Sequence, residues 1–140
     1  MKPSARIGVF VVDDSRIIRE RLLALLAELP NVQVVGQAEL VPDAIDAIRK
    51  LRPAAVILDI SMPGGSGLQV LETIRREAIA ARVIMLTNLA HEPYRARCLH
   101  LGADYFFDKS TEFEKVIEVL RALSRRPAPR RRKSKPALPI

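Results

Sequence analysis

Acidic and polar side chains follow short apolar runs at four widely separated points of this 140-residue chain. They are Asp13-Asp14, Asp59, Thr87 and Lys109. Carboxylate oxygens are the ligands that Mg²⁺ prefers, and a hydroxyl together with an ammonium can hold the oxygens of a phosphoryl group. If the fold brings these side chains together, they predict a metal-assisted transfer of a phosphoryl group onto Asp59, because a bound cation offsets the repulsion between two anions.

Each of these positions also has an ordinary structural explanation. Aspartate is common in turns and at helix N-caps, threonine suits a strand, and a loop lysine is usually only solvated. The conjunction of a carboxylate pair at one strand end with Asp59 at a neighbouring end is what favours a site. His91, His100 and Cys98 show no metal-ligand spacing, and we interpret them as ordinary helix and loop residues.

Apolar periodicity predicts five strand–helix units that position these residues. The predicted strands are short runs of β-branched or aromatic residues at 7–12, 32–35, 55–58, 83–86 and 105–107. Between them, apolar residues recur at helical spacing; Ser15 can begin the first helix, Pro30 stops it, and Gly102 ends the fourth. Short connections between such units predict an α/β fold with a doubly wound parallel sheet and five helices on its two faces.

The flavodoxin-like strand order 2-1-3-4-5 is the natural arrangement for five such units. In that order the first and third strands are neighbours, so Asp13, Asp14 and Asp59 are expected to meet at the carboxyl edge of the sheet. Open parallel sheets bind their ligands at this edge. The fourth and fifth strands end at the same edge and bring Thr87 and Lys109 to it.

The composition predicts a folded domain without a membrane anchor. Hydrophobic residues make up 49% of the chain, yet no apolar run approaches the ~20 residues that a membrane span needs. The first residues lack the apolar stretch of a signal peptide. A single cysteine, Cys98, cannot form an internal disulfide. These features together predict a cytoplasmic protein.

The net charge of +7 belongs to the C-terminal part of the sequence. All 16 acidic residues precede residue 119, whereas eight of the 23 basic residues lie between Arg121 and Lys135. We therefore predict a folded domain over residues 1–123 and a disordered basic, Pro- and Arg-rich tail over 124–140. The segment 125–135 is either solvated without a partner, or binds an acidic protein, or binds nucleic acid or anionic lipid non-specifically.

One ordered set of residues carries a family resemblance: Asp13-Asp14, Asp59, Met62-Pro63, Gly67, Thr87 and Lys109. Over roughly residues 6–123 the chain resembles the receiver domain of two-component response regulators. The tripeptide Lys109-Ser110-Thr111 is similar to the branch of this family that is often attached to helix-turn-helix output domains. Because 17 residues after Leu123 are too few for such a domain, we interpret the chain as a stand-alone receiver, or as a receiver whose effector has been lost or cut away.

The resemblance implies a signalling switch and not a turnover enzyme. It implies that Asp59 accepts a phosphoryl group from the phosphohistidine of a histidine kinase, or from a phosphotransfer protein, and takes part in its own phosphorylation and dephosphorylation. Thr87 and Lys109 would contact the phosphoryl group, and Phe106 would be the switch aromatic that turns inward as Thr87 moves. A downstream protein would read the change, and dimerisation is left open.

The resemblance also implies a magnesium site. Its ligands would be the side chains of Asp14 and Asp59, the backbone carbonyl of Ser61, and Asp13 through a water molecule.

Two departures from the family pattern keep a second interpretation open. Ser110 stands where the family has a proline after a cis bond, and Asn88 stands where it has a very small residue. A receiver-like scaffold that binds partners without phosphorylation is therefore an alternative, and so is a polyanion-binding protein acting through the basic tail. A flavin-binding flavodoxin is excluded, because Asp13-Asp14 would repel a phosphate after the first strand.

Overall fold

Seven strands lie in residues 6–125, which are the residues that the structure, a computed structural model, describes. They are β1 (Ile7–Val12), β2 (Val32–Ala38), β3 (Ala55–Leu58), β4 (Ser61–Met62), β5 (Gly65–Ser66), β6 (Arg82–Thr87) and β7 (Tyr105–Asp108). Five of them form a parallel sheet in the order β2-β1-β3-β6-β7. Counted along the chain, this is the predicted order 2-1-3-4-5, and the flavodoxin-like fold is confirmed.

Five helices connect the strands or follow them, as predicted: α1 (Arg16–Leu26), α2 (Val41–Leu51), α3 (Gly67–Arg76), α4 (Glu92–His100) and α5 (Phe113–Arg125). Their ends have local chemical causes. The hydroxyl of Ser15 accepts a hydrogen bond from the N–H of Ile18 at the start of α1. Ser66 and Gln69 form a reciprocal capping box at the start of α3. Gly102 follows α4 with a left-handed φ of 106°, a conformation that favours glycine.

The sheet is buried on both faces. Along β1, Val9 and Val11 contribute to one apolar cluster while Phe10 and Val12 contribute to the other. The first cluster also contains residues of α1 and α5, and the second contains residues of α2, α3 and α4. This alternation explains why the strand is apolar at consecutive positions, as strands covered on both faces are. It holds the carboxyl edge of the sheet rigidly in place.

The structure adds details that apolar periodicity did not predict. Strand β2 continues to Ala38, and Gly36 lies against the ring of Phe10, where an added Cβ would be 2.7 Å from the ring atom Cε1. The loop after β3 folds into the antiparallel hairpin β4–β5. Within residues 6–125 no peptide bond is cis, so the bond between Lys109 and Ser110 is trans. No helix in this range combines the length and hydropathy needed to cross a membrane.

Helix α5 extends further than predicted. It includes Ser124 and Arg125, two residues for which the sequence predicts disorder. The hydroxyl of Ser124 donates to the carbonyl of Arg121 at 3.1 Å, and the positive charge of Arg125 suits the negative end of the helix dipole. The predicted disorder of the remaining tail concerns residues 126–140, which lie outside the described residues.

Candidate functional site

Three carboxylates meet where β1 and β3 end. Asp13, Asp14 and Asp59 each offer a carboxylate oxygen, and these oxygens lie within 4.8 Å of one another. Backbone hydrogen bonds continue past the strand ends and fix the pairing, since the N–H of Asp59 donates to the carbonyl of Val12 at 3.1 Å. Asp13 and Asp59 are buried, whereas Asp14 is exposed. The acidic cluster is therefore buried at Asp13 and Asp59 and open to solvent at Asp14.

Lys109 joins the two buried carboxylates. Its Nζ lies 2.7 Å from Oδ2 of Asp59 and 2.8 Å from Oδ2 of Asp13, and its side chain is only 9% exposed. Burial opposes the charged form of this lysine, but the hydrogen bonds to both aspartates outweigh it and raise its pKa above the ordinary value. Burial also raises the pKa of Asp13, although the hydrogen bonds from Lys109 and from the N–H of Ser15 oppose that rise.

Thr87 closes β6 beside the loop that carries Lys109. Its side chain is fully buried, and its Oγ1 accepts a hydrogen bond from the N–H of Leu89 at 3.1 Å. The N–H of Lys109 donates to the carbonyl of Thr87 at 3.0 Å, so the ends of β6 and β7 are tied together. Asn88, which follows Thr87, is exposed at the same edge.

Phe106 lies in β7 and is buried in the cluster under α2, α3 and α4. The guanidinium of Arg95, in α4, sits 5.6 Å from the centroid of its ring, and Nη1 of Arg95 donates to the carbonyl of Phe106 at 3.4 Å. The ring is therefore buried in an inward position, and Arg95 makes a cation–π contact with it from α4. No feature of the sequence indicated this role for Arg95.

The hairpin after β3 lies against Asp59. The N–H of Ser61 donates to Oδ1 of Asp59 at 3.3 Å. Gly67 follows the hairpin, and a Cβ added to it would lie 1.8 Å from the carbonyl oxygen of Asp59. Only glycine permits this approach. Of the glycines in this loop, Gly67 is the one that makes close contact with the backbone of Asp59.

Arg19 is a residue that the sequence did not single out. From α1, its Nη1 donates to the carbonyl of Asp13 at 2.8 Å, and its Nε donates to Oε1 of Gln37 at 2.8 Å. Its side chain is 14% exposed. These bonds fix the backbone that carries the acidic pair. The contact with Gln37 joins residues 18 apart in sequence, and the contact with Asp13 joins a helix to the end of a strand, so periodicity carries no signal for either.

The arrangement can do a limited range of chemistry. Three carboxylates form a hard oxygen donor set suited to a divalent cation. Both oxygens of Asp59 are already oriented, one by Lys109 and one by the N–H of Ser61. A carboxylate held in this way can act as a nucleophile once a cation offsets its charge.

Comparison with known proteins then decides the family. Residues 9–121 match the family model of the response regulator receiver domain. The chain belongs to this family. Receiver domains accept phosphoryl groups and bind Mg²⁺ at an acidic cluster, and the group formed by Asp13, Asp14 and Asp59 corresponds to such a cluster.

Individual relatives agree with this assignment. Response regulator GacA of Pseudomonas aeruginosa is 31% identical over 115 residues, which cover 82% of this chain and 54% of GacA. The receiver domain of the response regulator NarL from Mycobacterium tuberculosis has a TM-score of 0.79 at 26% identity and covers 86% of this chain and 98% of that chain. CheY of Borrelia burgdorferi, solved with CheX, BeF3 and Mg²⁺, has a TM-score of 0.77 at 26% identity over 85% of this chain and 90% of that chain.

These relatives place the receiver in a particular branch. Several of the similar proteins, GacA and NarL among them, are response regulators of the LuxR/NarL type, which agrees with the branch predicted from Lys109-Ser110-Thr111. The chain spans about half the length of the GacA relatives that it matches.

Proposed function

We propose that this receiver is a phosphorylation-controlled switch, in which Asp59 accepts a phosphoryl group from a histidine kinase or a phosphotransfer protein. The observation that carries the proposal is the position of Asp59, buried beside Asp13 and 2.7 Å from the Nζ of Lys109. An isolated structural carboxylate has no need of two acidic neighbours, whose repulsion costs stability. A site that receives a cation and a phosphoryl group does need them.

Mg²⁺ is the cation that this donor set fits. Asp14 and Asp59 would hold it through their side chains, Ser61 through its backbone carbonyl, and Asp13 through a water molecule. The bound ion would offset the negative charge that otherwise keeps an anionic donor away from Asp59. The exposed side of the site, at Asp14, leaves room for water and for the donor. The BeF3 and Mg²⁺ named in the CheY complex support this assignment.

The proposed step exchanges one bond for another. An oxygen of Asp59 attacks the phosphorus of the phosphohistidine, the O–P bond forms as the N–P bond breaks, and the leaving imidazole takes up a proton. Lys109 is already in contact with Asp59 and can pair with a phosphoryl oxygen without a large movement. Thr87 can donate its hydroxyl hydrogen to another phosphoryl oxygen, since its Oγ1 only accepts a hydrogen bond from Leu89 here.

Phosphorylation is proposed to act on a downstream protein through Thr87 and Phe106. A phosphoryl group shifts a conformational equilibrium only by binding one state better than the other. A hydrogen bond from Thr87 favours one position of the end of β6, and the ring of Phe106 occupies the space beside it. The surface formed by α4 and β7 would then differ between the two states.

The test is phosphorylation by a small donor. Acetyl phosphate or phosphoramidate with Mg²⁺ is expected to add the mass of one phosphoryl group, measured on the intact protein. Asp59→Asn is expected to abolish the gain, and chelation of Mg²⁺ is expected to suppress it. Asp46→Asn, the same change at an exposed position of α2, is the matched control and is expected to label normally. Unchanged labelling of Asp59→Asn contradicts the site, and a wild-type protein that never labels favours the phosphorylation-independent scaffold.

A further inference from the structure

The charges of the described residues are divided between the two edges of the sheet. Residues 6–125 contain 16 acidic and 16 basic residues, because seven of the 23 basic residues lie outside this range. The carboxyl edge holds the acidic site, and α2, α4 and α5 each begin there with an acidic residue in their first turn. A domain with no net charge is therefore strongly polarised.

The opposite edge, where strands begin and helices end, is basic. We define the basic edge as seven exposed side chains: Arg6, Lys50, Arg52, Arg76, Arg82, Arg121 and Arg125. Glu77 pairs with Arg49 at 2.6 Å and Asp104 pairs with Arg75 at 2.8 Å. Asp46, Glu72 and Glu118 stand one helical turn before Lys50, Arg76 and Arg121. With Glu28, these are six acidic residues against nine basic ones, when Arg49 and Arg75 are counted with the basic edge. The edge is therefore basic on balance, and its charge is partly offset.

Ordinary helix electrostatics explain only part of this charge. Basic residues suit the ends of α2, α3 and α5 because of the helix dipole. Arg6 and Arg82 instead stand at the starts of β1 and β6, where no dipole favours them. Within residues 6–125, Arg52, Arg82 and Arg121 make no side-chain hydrogen bond or ion pair. The sequence then continues from Arg125 with six more basic residues over 126–135.

The residue types at the basic edge indicate a phosphate-bearing partner. Six of its seven members are arginines, whose planar guanidinium groups bind phosphate oxygens in a bidentate manner. These side chains lie on both faces of the sheet, at the ends of α2 and α3 on one face and of α5 on the other. Because a helix is about 10 Å in diameter, the basic edge is about 20 Å wide. Duplex nucleic acid carries one negative charge per about 1.7 Å of its axis, so this width spans several phosphates.

Other anionic partners fit the basic edge less well. Single strands bind by stacking bases on exposed aromatic rings, but Tyr105, at the start of β7, stacks on Phe107 instead. Interfacial membrane binding needs a continuous apolar face. The large apolar side chains exposed near this edge are Leu51 and Leu99. They belong to α2 and α4, which are separated by α3, so these two side chains do not form one continuous apolar surface.

We propose that the basic edge binds duplex nucleic acid through its phosphodiester backbone without reading the sequence. This activity is separate from phosphorylation. The acidic site lies at the other end of the strands, about 20 Å away for the six residues of β1. Bound nucleic acid therefore leaves Asp59 accessible.

The experiment measures binding of the full chain to a fluorescently labelled DNA duplex of arbitrary sequence. Fluorescence anisotropy is recorded between about 50 and about 200 mM salt, where binding through phosphates weakens steeply. The edge variant is Arg52→Gln with Arg82→Gln. The control variant, Arg16→Gln with Lys115→Gln, removes the same charge from exposed residues near the carboxyl edge.

The edge variant is expected to bind more weakly. The salt slope of the edge variant is expected to fall by about two, because each of its two missing arginines neutralises about one phosphate in the wild type. The control variant is expected to bind as the wild type does, and thermal unfolding checks that all variants fold. An unrelated duplex is expected to compete equally.

Three results overturn the proposal. If the edge variant keeps the salt slope of the wild type, any binding is due to the basic tail alone. Equal weakening in the edge and control variants indicates an effect of net charge without a defined surface. Binding to vesicles of phosphatidylserine and phosphatidylcholine in the absence of duplex binding indicates a membrane partner. Loss of duplex binding with normal phosphorylation of Asp59, or the reverse, separates this proposal from the proposed function.

Discussion

Single residues at this site are constrained by backbone geometry as much as by charge. Asp59 is surrounded by groups that fix it: Lys109 and Ser61 on its carboxylate, and Gly67 against its carbonyl oxygen. A change at Asp59 removes the proposed chemistry, whereas a change at Gly67 displaces the backbone that carries it. Substitution of Asp59 is therefore expected to abolish phosphorylation, whereas substitution of Gly67 is expected to lower the stability of the fold.

Gly67→Ala is expected to destabilise the fold severely. The new Cβ would lie 1.8 Å from the carbonyl oxygen of Asp59, so the start of α3 must move away from β3. Overpacking against backbone costs about 3 kcal/mol or more in the free energy of unfolding. The measurement is denaturant unfolding followed by circular dichroism.

Gly64→Ala is the matched control in the same loop. Its φ is 78°, but nothing lies within 4 Å of an added Cβ, so only backbone strain of about 1 kcal/mol is expected. Equal stability of the two variants would show that α3 adjusts freely and that the contact at Asp59 is not a constraint.

At the scale of elements, one arginine joins three segments at the amino edge of the sheet. From α3, Arg75 donates through Nε and Nη2 to the carbonyl of Gly102 at 2.9 and 2.8 Å, and through Nη1 to the carbonyl of Ala81 at 2.9 Å. It also pairs with Asp104, whose Oδ2 accepts from the N–H of Val83 at 2.8 Å. The ends of α3 and α4 and the start of β6 are held together by this side chain.

Arg75→Met is expected to lower the free energy of unfolding by about 2 kcal/mol, because methionine keeps an apolar stem but leaves partly buried carbonyls without a donor. Arg76→Met, one residue along the same helix, is expected to change it little, since that side chain is exposed and makes one long contact to Thr73. Urea denaturation compares the two. Similar decreases in both variants would assign the effect to helix propensity instead of the carbonyl contacts.

The elements themselves were predictable where one local signal governed them. The alternation of β1 between two cores, the Ser15 cap and the break at Gly102 depend on neighbours in sequence. The predicted stop at Pro30 was too late, since α1 ends at Leu26. The β4–β5 hairpin, the extent of β2 and the contacts of Arg19 depend on segments that meet only after folding. The convergence of the acidic residues could be predicted from the strand order, whereas nothing in the sequence indicated the cation–π contact between Arg95 and Phe106.

At the scale of the whole molecule, the proposed switch must carry information from Asp59 to the surface of α4 and β7. Beryllofluoride with Mg²⁺, a mimic of the phosphoryl group, is expected to shift NMR resonances of α4 and β7 as well as those of the site. Arg95→Ala removes a cation–π contact of about 0.5–1 kcal/mol from the inward ring of Phe106. The apparent affinity for beryllofluoride is then expected to fall about two- to fivefold.

Arg97→Ala is the control for that measurement, since Arg97 lies in the same helix and its nearest acidic partner, Glu72, is 4.0 Å away. It is expected to bind beryllofluoride as the wild type does. Shifts confined to residues that line the acidic site would contradict the switch and favour the scaffold interpretation. An unchanged affinity in Arg95→Ala would show that the inward position of Phe106 does not depend on its arginine.

The separation of opposite charges at the two edges makes the molecule an electric dipole whose ends are screened from each other by salt. The six residues of β1 span about 20 Å, while the Debye length is about 8 Å at physiological ionic strength. The potential of the basic edge therefore decays to roughly a tenth before it reaches Asp59. At about 0.01 M salt the Debye length is about 30 Å, and the arginines then act on the aspartates across the whole sheet. Ionic strength thus decides whether the two ends of this receiver behave as one electrostatic unit or as two.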